Sequence, residues 1–207
     1  MPKTVKNKKT IVLETSWDDG SDQDPYIAKL LRKYKLPGIF YLPGICTLDG
    51  TVISNLDQEF EVGSHTYNHP PDIKQLPNQE IEIKAGKRWL ESIVGHEVKK
   101  FCYPRGRYNE ETKTILRRLG ITQARTTKVG ITKTPRNHFE RGTTVHVFQR
   151  PEYEGKDWLA YALEKLAEVE KKGGYFHVWG HGWEIERDKN WPKLEELFQE
   201  MKRVFVD

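Results

Sequence analysis

The chain has 207 residues, 36% hydrophobic and 31% charged, with 34 Lys and Arg against 30 Asp and Glu for a net charge of +4. That balance excludes a disordered chain and fits one globular domain with a sizeable core. Only two cysteines occur, Cys46 and Cys102, far apart in sequence, which excludes a disulfide framework or a zinc-finger spacing.

Much of the positive excess lies in Lys3, Lys6, Lys8 and Lys9. Residues 1–9 therefore read as a basic, solvated tail and residues 10–207 as a single domain. No basic stripe with interleaved aromatics suggests a nucleic-acid partner. No run is long enough to span a bilayer, and no apolar signal segment opens the chain. The expectation is a cytoplasmic protein with no membrane partner.

Residues 11–16 read as a first buried strand. Residues 24–34 follow as a helix, with Ile27, Leu30, Leu31 and Tyr34 on one face, Asp24 as a cap and Pro25 at its first position. Residues 38–42 form a second strand, 51–56 a turn or short helix, and 60–64 a third strand. A helix over 79–94 stops at Gly95, and a fourth strand covers 99–103. Asn109 caps a helix over 110–119, and residues 121–126 make a fifth strand. Residues 127–140 are polar and irregular and read as a loop. A sixth strand is expected over 143–149, a helix over 157–172, a seventh strand over 175–179, and a last helix from Asn190 to Val204. Alternation of strand and helix implies parallel strands with helices packed outside. A barrel and an open doubly wound sheet both fit, and either gathers functional groups at the carboxyl ends of the strands.

The polar groups fall at those ends. Thr15-Ser16-Trp17-Asp18-Asp19-Gly20 closes the first strand. Asp-Asp-Gly is ordinary turn chemistry, yet two adjacent carboxylates at a buried strand end resist joint ionisation. A cation on Asp19 relieves that and frees Asp18 to act as a base. His65-Thr66-Tyr67-Asn68-His69 follows the third strand. Two histidines four apart can share a metal on one turn, and Pro70-Pro71 disfavours a helix running on. One carboxylate and two imidazoles leave a position open on zinc, as catalytic sites require. Phe101-Cys102-Tyr103-Pro104-Arg105-Gly106 ends the fourth strand with a turn able to aim backbone N–H groups at an oxyanion. In the last strand Tyr175, His177, Trp179 and His181 face one side. His181 is outermost, where a general acid reaches a leaving group, while His177 reads as a satisfied core histidine. His96, His138 and His146 have no spacing that favours function. Trp17, Tyr103, Trp179 and Trp183 flank these motifs and are taken as substrate contacts.

In these four motifs, over nearly its whole length, the chain resembles the polysaccharide deacetylases of carbohydrate esterase family 4, the NodB homology domain. The resemblance implies an α/β fold, a distorted barrel of about seven βα units with parallel strands and outer helices. It implies Asp18 as base, Asp19, His65 and His69 as ligands of Zn2+ or another divalent ion such as Co2+, and His181 as acid. It also places the Arg105 backbone N–H at the oxyanion and Trp179 as an apolar wall for the acetyl methyl. The expected reaction is hydrolysis of the N-acetyl group of a sugar such as a chitooligosaccharide or a peptidoglycan-type fragment. A hydrolase of small amides or cyclic imides is the alternative, and an inactive sugar-binding module a third reading.

Two departures from the family pattern stand out. Many members carry at Cys102 an arginine that orients the base, and here Arg105, catalytic on this reading, is expected to stand in. The Asp-Trp pair that tunes the acid has only Asp157-Trp158 as a counterpart, better read as a helix cap and a core tryptophan.

Overall fold

A computed structural model describes residues 10–206; the basic tail read at residues 1–9 lies outside them. Seven strands form one sheet in the order β5-β4-β3-β2-β1-β7-β6. They are β1 (Ile11–Asp18), β2 (Ile39–Leu42), β3 (Glu61–Ser64), β4 (Lys100–Cys102), β5 (Gln123–Arg125), β6 (Val145–His146) and β7 (Gly174–His181). Every pairing is parallel. The helices are α1 (Asp24–Tyr34), α2 (Gly50–Asp57), α3 (Gln79–Val94), α4 (Glu110–Arg118), α5 (Trp158–Lys172), α6 (Gly182–Arg187) and α7 (Trp191–Phe205). The sheet curls into a half-barrel with helices outside, so the barrel expectation holds and the open sheet does not. No described helix is long and apolar enough to cross a membrane.

Strand parity divides the side chains. Leu13 and Trp17 of β1, Phe40 and Leu42 of β2, and Phe176 and Val178 of β7 pack with Leu194, Leu197 and Phe198 of α7 in the main core. The intervening residues point inward, and many are polar. Glu14, Ser16 and Asp18 pair in register with His177, Trp179 and His181. Lower in the barrel Glu14 takes a 2.5 Å ion pair from Arg141 and a hydrogen bond from the Tyr175 hydroxyl at 2.9 Å. His177 Nε2 is hydrogen-bonded to Ser16 Oγ at 2.8 Å and its Nδ1 lies 2.6 Å from the Tyr175 hydroxyl, so it is the satisfied core histidine expected.

The sixth strand is shorter than the sequence suggests. Only Val145 and His146 pair regularly. The stretch before them, expected as a plain loop, links the two edges of the sheet. Ala124 N–H donates to the His138 carbonyl at 2.8 Å and Thr126 N–H to the Arg141 carbonyl at 2.8 Å, while Thr144 N–H reaches the His177 carbonyl at 2.9 Å. Backbone groups of an irregular segment thus satisfy the edge of β5. Asp24 does not cap α1. Gln23 holds that position, and the buried Asp24 carboxyl accepts from Ser21 Oγ at 3.0 Å.

Candidate active site

At the carboxyl end of β1, Asp18 points into the barrel and is 2% exposed. Its Oδ2 is ion-paired with Arg125 Nη2. Burial raises the Asp18 carboxyl, and Arg125, His65 and His181 overcome that and hold it at about 2. Asp18 is therefore ionised at neutral pH. Its Oδ1 is buried with no hydrogen-bond partner, so one oxygen is held and the other is free to accept a proton.

Arg125 is the arginine that the sequence reading missed. It ends β5, directly in register with Cys102 on β4. The guanidinium missing at Cys102 is thus supplied from the adjacent strand, and Arg125 Nη2 also lies 2.9 Å from Cys102 Sγ. Arg125 is fully buried, with its guanidinium carbon 4.5 Å from the Trp179 ring centre. Arg105, expected in this role, is exposed on a turn at φ 55°, and the guanidinium paired with Asp18 is that of Arg125.

Asp19 follows Asp18 with φ 77°, a left-handed conformation that turns its side chain away from that of Asp18. Asp19 Oδ1 lies 3.7 Å from His65 Nε2 and 3.6 Å from His69 Nε2. The His65 Nδ1–H donates to the Cys102 carbonyl at 2.8 Å, which fixes the tautomer and leaves Nε2 with a free lone pair. Burial lowers the His65 pKa to about 4, so its ring is neutral at pH 7, as a ligand must be.

The histidine loop is held from below. Glu82, in the first turn of α3, accepts from Tyr67 N–H at 2.9 Å and Asn68 N–H at 2.5 Å. Gly86 lets α3 come that close, since a Cβ there would sit 2.3 Å from the Thr66 carbonyl. Thr66 and His69 both adopt positive φ, 68° and 48°. With Asp19, that makes three non-glycine residues in left-handed backbone within two short loops, the strain expected where side chains are aimed for function.

A divalent metal fits these residues. Asp19 Oδ1 is buried without a hydrogen-bond partner, facing two imidazole nitrogens. Separations of 3.6 and 3.7 Å suit ligands sharing one ion at bond lengths of about 2.0–2.2 Å.

His181, at the end of β7, faces Asp19 with Nε2 3.6 Å from Oδ2. Its Nδ1–H donates to Glu184 Oε2 at 2.5 Å. Burial lowers the His181 pKa, but Glu184, Asp18 and Asp19 outweigh it, and the net shift is upward. Glu184 accepts a second bond from His146 Nε2 at 3.0 Å. His146 stacks on Trp179 with ring centres 3.8 Å apart, as the β6–β7 register dictates. Glu184 and His146 were not singled out in the sequence. Asp157 is a helix cap, accepting from Leu159 N–H at 3.0 Å, and Trp158 is buried core, as expected.

The four aromatic expectations divide. Trp17 is fully buried against Phe198 on the helix side, 6.0 Å between ring centres, and cannot touch a substrate. Tyr103 is likewise buried, stacked on Tyr108 with its hydroxyl bonded to the Phe139 carbonyl. Trp179 is inside, 3% exposed, between His146 and Arg125. Trp183 alone is open, 40% exposed, on a cleft of about 400 Å³ whose lining includes Asp19, His69, Ile45, Cys46 and Thr47.

Residues 3–124 match the family model "Polysaccharide deacetylase". An uncharacterised Streptomyces coelicolor protein is 29% identical over 116 residues, 54% of this chain and 46% of its own length, so the match spans about half of that relative. Among solved structures, a candidate polysaccharide deacetylase from Mycobacterium smegmatis superposes with a TM-score of 0.75 at 15% identity, over 99% of this chain and 88% of its own. A family 4 carbohydrate esterase from Streptomyces lividans, in complex with acetate, gives 0.62 at 16% identity, over 94% and 90%. At those identities the superpositions speak to fold.

Proposed function

The chain belongs to the polysaccharide deacetylase family, and on that premise we propose that it is a metal-dependent hydrolase that removes the N-acetyl group from an N-acetylated sugar, releasing acetate. The observation that carries this reading is the buried, unpartnered Asp19 Oδ1 facing His65 and His69, with an ionised Asp18 beside it and His181 opposite.

Asp19, His65 and His69 would hold the ion, zinc or a similar metal such as cobalt, which when bound polarises the acetyl carbonyl and lowers the pKa of a water. Asp18 would accept the attacking water's proton on its free Oδ1 while Arg125 holds Oδ2 in place. His181, protonated on Nε2 and oriented through Nδ1 by Glu184, gives a proton to the departing amine. Base and acid come from neighbouring strands, Asp18 of β1 in register with His181 of β7. Trp183 offers an apolar face to a sugar ring at the mouth of the cleft.

Acetate release is measured on chitooligosaccharides, peptidoglycan fragments, N-acetylglucosamine and a set of small amides and cyclic imides, with added zinc or cobalt. Release from a sugar that vanishes in Asp18→Asn supports the proposal. Turnover confined to small amides moves the assignment to that class. Metal-loaded protein inert on every compound overturns both.

A further inference from the structure

The two oxygens of Asp19 are treated differently by the fold. Oδ1 is buried, unpartnered and faces His65 and His69. Oδ2 accepts a hydrogen bond from the indole Nε1 of Trp183 at 3.1 Å. Trp183 sits in the first turn of α6, immediately before Glu184, so one helical turn reaches both the Asp19 carboxylate and the His181 imidazole.

That turn is placed deliberately close. A Cβ on Gly182 would lie 2.7 Å from Ser21 Oγ and 2.8 Å from Gln23 Cβ, so only glycine lets α6 begin against the loop that carries Asp19. Burial does not explain the position of Trp183, because the ring is 40% exposed. It rests on His181 at 5.2 Å between ring centres, with the Arg187 guanidinium 5.3 Å from its ring centre. The polar edge points inward to Asp19, and the ring lines the cleft.

We propose that Trp183 is a positioning residue for the metal site: its indole N–H occupies Asp19 Oδ2, so that the carboxylate presents Oδ1 alone to the ion. This rests on the assignment of Asp19, His65 and His69 as ligands. A bond to the outer oxygen of a ligating carboxylate fixes its orientation, and losing such a partner typically weakens metal binding about 10–100-fold. An aromatic residue that a sugar would meet therefore also sets the affinity for the metal.

The test uses metal-free full-length protein and zinc alone, titrated against a chelating dye, with no substrate. Trp183→Phe keeps the ring and removes the N–H; its zinc Kd should rise about 10-fold or more. Ile45→Ala, on the same cleft but without a bond to Asp19, should leave the Kd unchanged. Cobalt(II) bound to Trp183→Phe should show shifted ligand-field bands, because the freed Oδ2 can join the coordination shell. Equal zinc Kd values and identical cobalt spectra for wild type and Trp183→Phe overturn this inference and leave the ligand assignment standing. Wild-type protein that binds no zinc overturns the ligand assignment and this inference with it.

Discussion

Arg125 and Asp18 form a buried ion pair although they come from strands at different positions in the sheet, β5 and β1. The guanidinium crosses the barrel interior to reach the carboxylate, passing Tyr41 and Trp179 at 5.3 and 4.5 Å. Removing one partner of such a pair leaves an uncompensated buried charge. Arg125→Met should therefore cost about 3–5 kcal/mol of stability, read by urea denaturation. It should also move the acidic limb of the pH–rate profile upward. Burial pushes the Asp18 carboxyl up, and Arg125 is the foremost group that brings it down to about 2. Arg105→Ala should change kcat/KM by less than about threefold, well below the tenfold that 1.4 kcal/mol represents. A large loss there, with Arg125→Met near wild type, would return the role to Arg105.

The contrast shows what the sequence makes legible. The alternation of elements and the four motifs at strand ends are local patterns, and they lie close to where they are expected, except that the sixth strand shrinks to Val145–His146 and the short helix α6 after the last strand is not foreseen. Arg125 and His146 reach the site through register, beside Cys102 and Trp179 respectively, and register between distant segments is not a local property. Glu184 reaches His181 because α6 begins at Gly182 and turns it back beside the imidazole, a helix start that the local pattern does not signal. Trp17 and Tyr103 are a different matter. If Asp18 points inward, Trp17 must point to the helices, and the same parity sets Tyr103 opposite Cys102. Strand parity, a local property, is enough to turn both rings away from the site.

Glu184→Gln should impair the acid without disturbing the base. Burial lowers the His181 pKa, and Glu184 is the first of the groups that raise it, ahead of Asp18 and Asp19; His146 also faces that carboxylate. With the charge gone, the imidazolium is lost at lower pH, so the alkaline limb of the kcat/KM profile should shift downward. General acid catalysis typically contributes about 10²–10⁴-fold, and kcat should fall by an appreciable part of that. An unmoved alkaline limb in a folded variant would show that Glu184 does not act through His181.

Chelation should inactivate the protein and lower its melting temperature together. An ion bound only by the native state adds about 2.7 kcal/mol at a hundred times its Kd. For a chain of this size that corresponds to a rise in Tm of about 5–10 °C on adding back zinc. His69→Ala should abolish the rise, measured by calorimetry, while keeping the unliganded Tm near that of wild type, since His69 lies at the surface end of the loop. A zinc-dependent rise that survives in His69→Ala would place the ion elsewhere.

Asp24 gives a prediction about stability alone. It is wholly buried, and burial raises its pKa to about 8, against the Ser21 hydrogen bond that lowers it. Only one of its oxygens has a partner. A folded-state value above the unfolded one means that the folded protein holds the proton more tightly. The stabilisation is fully present below the unfolded carboxylate range near 4 and is lost as pH rises through about 8. Asp24→Asn preserves the shape and the acceptor for Ser21 while removing the titration. Urea denaturation at pH 5, 7 and 9 should therefore show wild type declining across the series more steeply than Asp24→Asn, with the variant the more stable at pH 9. Parallel curves for the two proteins would mean that Asp24 finds a compensating partner when it ionises.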